Sequence, residues 1–97
     1  MKMDKPPSEL DGANVLYFSV ADSIGLFGIV DYIDEKREEF IQALAICQYD
    51  NGKDVYVFAC DTEWKVMGDL CFGSVEEAMI EAVRTYSQSP IKWEKVD

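Results

Sequence analysis

The stretch AICQYDNGKDVYVFACDTEW, residues 45–64, restricts the folds open to this chain more than any other. Two apolar runs flank Asn51-Gly52, a dipeptide that readily takes the positive φ values of a type I′ turn, so the stretch reads as a β-hairpin. With Asn51 and Gly52 as the loop, Asp50 stands opposite Lys53, Cys47 faces Tyr56 and Ala43 faces Cys60. A second tight loop at Thr62 and Glu63 puts Asp61 opposite Trp64 and adds a third strand. Side chains alternate along a strand, which sorts the three strands into two faces. One face collects Leu44, Ile46, Val55, Val57, Ala59, Trp64, Val66 and Leu70, nearly all apolar. The other collects Ala43, Ala45, Cys47, Tyr49, Asp54, Tyr56, Phe58, Cys60, Lys65, Met67 and Asp69, mixing aromatic bulk with charge. A bulge at either turn would exchange the faces.

Downstream, Ser74 and Glu77 form a capping box, with Glu76 and Glu77 in the first turn, where the helix dipole favours acids. Val75, Ala78, Met79, Ala82, Val83 and Tyr86 then recur at helical spacing and give one apolar stripe, which should pack on the apolar sheet face. Pro90 stops this helix, and IKWEKV follows as a short strand. Upstream, NVLYFSV and GLFGIVDYI read as strands. EEFIQALAICQY reads as a third because it runs without a breaker into the hairpin, although Glu38, Phe40, Ile41 and Leu44 also fit a helical period. Met1 to about Asp11, broken by Pro6 and Pro7, reads as a flexible lead-in, and residues 12–97 as a single domain. The expected fold is α+β: an antiparallel sheet of five to six strands with one C-terminal amphipathic helix packed on one face.

The chain has 97 residues, 48% of them apolar, too many for a disordered segment. No apolar run approaches the roughly 18 residues of a membrane span, and the N-terminus has no apolar core behind its lysines, so a cytoplasmic protein is expected. The net charge of −10 supplies no basic stripe for phosphates, which argues against nucleic acid and anionic membrane as partners. An acidic surface keeps a protein soluble, and it also steers a basic partner toward it.

The composition closes several chemical routes. With no histidine, neither a Ser-His-Asp nor a Cys-His nucleophile system can form. Cys47, Cys60 and Cys71 make no C-x-x-C, a poor match to structural zinc spacings, and read as core thiols of a reducing compartment. Gly25 and Gly28 match no phosphate-binding loop and mark a bend or bulge in a strand. Asp61, Glu63 and Asp69 near one hairpin would suit a paired-carboxylate hydrolase, but Asp61 and Glu63 fall on a turn, where Asp is favoured by its own backbone bonding. The Asp61 carboxylate beside Cys60 suppresses the thiolate, which argues against a nucleophile there. Neither a catalytic residue nor a cofactor is expected.

Tyr49, Tyr56, Phe58 and Met67, edged by Asp54 and Asp69, have the make-up of an interface core with a polar rim. They form the candidate contact surface, unless the N-terminal strands cover it. The segment VYVFACDTEWKVMGDLCFGSVEEAMIEA also resembles a pattern of small acidic bacterial proteins of uncharacterised function, through CD, the Trp three positions after Asp61, Asp69 and SVEEA. Some small acidic proteins of this general kind resemble immunity proteins, which neutralise toxin partners, and the resemblance assigns no functional residue. The expectation is a non-enzymatic domain that binds a protein partner or a second copy of itself. Its rivals are a small enzyme or ligand-binding protein using carboxylates or Tyr, and a subunit of an obligate complex.

Overall fold

A computed structural model describes residues 5–21, 25–32, 37–86 and 88–96. The elements are β1 (Glu9–Leu10), β2 (Ala13–Val20), β3 (Gly28–Tyr32), β4 (Arg37–Ile41), β5 (Ala43–Gln48), β6 (Val55–Cys60), β7 (Val66–Phe72), α1 (Val75–Thr85) and β8 (Glu94–Lys95). Six strands make one antiparallel sheet in the order β1-β2-β5-β6-β7, with β8 also paired to β2. β3 and β4 form a separate two-stranded arm. The expected α+β class is what the chain adopts, and EEFIQALAICQY is strand rather than helix. It is interrupted only at Gln42, where the arm leaves the sheet.

The β5–β6 register is the expected one, with Ala43 opposite Cys60 and Cys47 opposite Tyr56. The turn that sets it differs. Asn51 is left-handed (φ 64°) but Gly52 is not, and Gly52 N–H donates to the Tyr49 carbonyl at 2.9 Å, so the connection is not a two-residue type I′ loop. That conformation occurs instead at Asp11 (φ 50°) and Gly12 (φ 84°), which join Leu10 to Ala13 in a two-residue hairpin. β1 thus falls within the stretch expected to be a flexible lead-in, and Leu10 is buried; Met1 to Asp4 lie outside the described residues.

The β6–β7 register departs from expectation in two steps. Trp64 is left-handed (φ 62°), its N–H donates to the Asp61 carbonyl, and Asp61 N–H donates to the Lys65 carbonyl. The loop therefore has three residues, a turn followed by a left-handed residue, rather than two. A bulge then leaves Met67 unpaired between Cys60↔Val66 and Ala59↔Gly68. The first extra residue exchanges the faces and the second restores them. Trp64 and Val66, expected on the helix side, pack on the opposite side. Met67 turns toward the helix side, whereas Leu70 lies on the helix side as expected.

Two cores result, one on each face. The helix side holds Leu44, Ile46, Val55, Val57 and Ala59 under Ala78, Ala82 and Tyr86 of the α1 segment, with Phe27 and Ile41 from the base of the arm. The other side holds small residues, Ala13, Ala43, Ala45, Cys47 and Cys60, capped by Leu10, Phe18, Phe58 and Trp64. Burying each Leu- or Phe-sized side chain is worth about 1.5–3 kcal/mol, so both cores hold the sheet. Ser74 caps α1 by accepting from the Glu77 N–H at 3.1 Å, as the capping box implies. The helix ends at Thr85, before Pro90. Val83 is exposed because it lies about 80° round the helix from Val75, at the margin of the stripe.

Candidate functional site

The second sheet face is largely closed. Phe58 is only 2% exposed and Cys47 and Cys60 are fully buried, because β2 and Leu10 extend that core and Trp64 folds over it. Phe18 and Trp64 meet edge to face at 6.1 Å. What stays at the surface is the rim at the β5–β6 turn. Tyr49, 40% exposed, meets Tyr56 edge to face at 5.5 Å, and Tyr56 continues to Phe58 at 6.1 Å. Three of the four apolar residues anticipated from the sequence are therefore brought together, two at the surface and Phe58 beneath them. Met67 is half-buried on the helix side and does not join them.

Several acids lie on the strands and turns that carry this pair. Asp54 and Asp69 are both exposed, Asp69 standing opposite Phe58 on β7. Asp50 accepts from Asn14 Nδ2 at 2.7 Å, which ties the turn to β2. The Tyr49 ring lies beside the Asp11–Gly12 turn: a Cβ at Gly12 would stand 3.8 Å from Tyr49 Cε1. Cys71 is exposed and stands beside Tyr56, directly across on β7. That neighbour leads the influences raising the Tyr56 phenol above its ordinary range, with Asp54 adding to it. The surface is thus a pair of phenols with Asp54 beside it.

The reactive-looking residues of the β6–β7 turn serve the backbone. Asp61 Oδ1 accepts from the Glu63 N–H at 2.8 Å and the Lys65 N–H at 2.9 Å, so this carboxylate closes the loop. Burial pushes the Cys60 thiol up to about 12, with Cys47, Asp61 and Asp11 adding to it. Burial, then Asp11, pushes Cys47 up to about 12 as well. Both thiols are protonated at neutral pH and are poor nucleophiles. Among the described residues, no three His, Cys, Asp or Glu side chains are grouped to hold a metal ion, and no helix is long and apolar enough to cross a membrane.

A groove of about 260 Å³ at the C-terminal end of α1 is lined by Val83, Tyr86, Gln88, Ser89, Pro90 and Ile91. Ser89 Oγ donates to the Leu26 carbonyl at 2.7 Å and pins the groove wall to the base of the arm. Burial raises the Tyr86 phenol, and Asp69 adds to the shift. Among the described residues, the lining holds a phenol but no carboxylate.

Sequence reasoning missed a second exposed apolar surface on the arm. Ile29 is 45% and Phe40 50% exposed, and the two stand directly opposite each other. Both segments were legible as strands, but their exposure follows from the break at Gln42, which no turn residue marks. No family model, curated protein or solved structure matches the chain.

Proposed function

We propose that this chain is a non-enzymatic domain that binds a basic protein partner through the surface formed by Tyr49 and Tyr56 with Asp54 and Asp69. The observation that carries this reading is that the Tyr49–Tyr56 pair stays at the surface with Asp54 beside Tyr56, while the rest of the same sheet face is closed. Tyr gives a large contact area at low entropic cost, and carboxylates at the rim select and steer a cationic partner. An inhibitor or immunity-like protein acting on a basic enzyme is one specific form of this reading. Self-association is the less favoured form, because each copy carries a net charge of −10 and two such copies repel. The rival reading, an enzyme working with carboxylates and Tyr in a pocket, finds no carboxylate among the described residues that line the groove beside Tyr86.

The test is capture from the source cell with the wild-type chain and an Asp54→Lys/Asp69→Lys chain side by side, followed by affinity measurement on the captured protein. The reading expects a basic protein retained by the wild type and weakened about tenfold or more by the double reversal, with the loss shrinking at high salt. Equal retention by both chains would refute it.

A further inference from the structure

We propose that the outer face of the β3–β4 arm is a second docking surface, built for an extended cationic segment of another protein in which a bulky apolar residue and an Arg or Lys stand two positions apart. The register of the arm places Gly28 opposite Ile41, Ile29 opposite Phe40, Val30 opposite Glu39 and Asp31 opposite Glu38. Alternation divides these pairs between two faces. The inner face is occupied: Val30 and Ile41 pack into the helix-side core, a Cβ at Gly28 would lie 3.7 Å from Tyr86 Cδ1, and Tyr32 Oη donates to Glu39 Oε2 at 3.4 Å. The outer face carries Ile29 with Phe40, then Asp31 with Glu38, and all four are exposed.

Each pair on that face points to the same occupant. A cross-strand Ile–Phe pair is a favourable apolar unit that is ordinarily covered, and here it is half-exposed on a two-stranded arm, an element that is marginal in water without further packing. Two carboxylates directly opposite each other destabilise a ladder, so the arm gains from a cation set between them. Successive pairs on one face are about 6.8 Å apart along the strands, and side chains two residues apart in an extended peptide have the same spacing. An apolar side chain on Ile29 and Phe40 therefore brings a cation two positions away over Asp31 and Glu38. A second copy of the chain is a poor occupant, since its own arm brings carboxylates to carboxylates.

This surface is independent of the Tyr49–Tyr56 surface. Phe40 and Tyr49 lie at opposite ends of one strand run, roughly 30 Å apart along an extended chain. The experiment is an amide-resolved NMR titration of the full chain with two short serine-based peptides. One carries Leu and Arg two positions apart; the other carries them adjacent, which sends them to opposite sides of an extended backbone. The proposal expects shifts confined to residues 28–32 and 38–41 with the first peptide, and binding about tenfold weaker with the second. Phe40→Ser, and separately Asp31→Asn with Glu38→Gln, should each weaken the first peptide about tenfold; the charge-neutral pair keeps the arm's register, so its spectrum serves as the folding control. Shifts at Tyr49 and Tyr56 or spread over the acidic surface, equal binding of the two peptides, or unchanged binding by the charge-neutral variant would each overturn it. So would arm shifts on concentrating the chain alone, which would make a second copy the occupant.

Discussion

At the residue scale, the three thiols differ by surroundings rather than by sequence neighbours. Cys47 and Cys60 are buried beside alanines in the small-residue core, and Cys71 faces solvent on β7. A disulfide reagent added to the native reduced chain is expected to consume one thiol quickly and the other two only as the chain unfolds. Cys71→Ser should abolish the fast phase, and a fast phase that survives this substitution would place a second thiol at the surface. The burial of Cys47 and Cys60 was legible in the sequence, from the absence of any metal or catalytic spacing. The exposure of Cys71 was not, since it depends on β7 lying at the sheet edge. Trp64 is the least legible residue of the chain. Its left-handed position in a three-residue loop is normally taken by Gly, and an aromatic occupies it here because its ring closes a core against Phe18.

Elements were legible where two signals agreed. The β5–β6 register follows from alternation and a turn dipeptide together, and it held although the turn took another form. The helix start was legible from its capping box, whose side-chain bond is present. The register of the three-residue loop was not legible because no glycine announces it, and the bulge at Met67 went unread although Gly68, an isolated strand glycine of the kind that marks a bulge, follows it directly. The one glycine-bearing turn that does take type I′ values, Asp11–Gly12, sat in a stretch whose prolines suggested a flexible lead-in. The β6–β7 loop leans on Asp61, which accepts two backbone N–H groups. Asp61→Ala should lower stability by about 1–2 kcal/mol in urea titrations. A loss below about 0.5 kcal/mol would mean that the hairpin does not need this side chain.

At the scale of the whole molecule, two cores share one sheet, and the second carries the pH dependence. The Cys47 and Cys60 thiols are held up to about 12, above the roughly 8.5 of an unfolded chain. A raised pKa favours the protonated, folded form, so this contribution is complete below about pH 8 and is lost as pH climbs toward about 12. Each thiol lowers stability by up to about 1.4 kcal/mol per pH unit in that window. Urea stability is therefore expected to be nearly level from about pH 7 to 8 and to fall by about 4 kcal/mol by pH 10, with about half that fall for Cys60→Ala. An equal slope in that variant would remove the thiols as the cause. The sequence did not reveal whether the mixed face was open. That depended on β2 and Leu10, whose contribution follows from a short hairpin at the N-terminal end.

β2 holds this arrangement together through both of its edges. β5 runs along one, while β1 at Asn14–Ala13 and β8 at Tyr17–Phe18 sit in tandem on the other. Two fragments of two residues each, from opposite ends of the chain, therefore shield an eight-residue apolar strand. Proteolytic trimming through β1 or β8 would uncover part of that edge while taking only Leu10 or Val96 from the small-residue core and leaving the helix-side sheet core in place. The product would be a still-folded chain offering ANVLYFSV as a template for strand pairing, and aggregation would then begin from a nicked molecule rather than from an unfolded one.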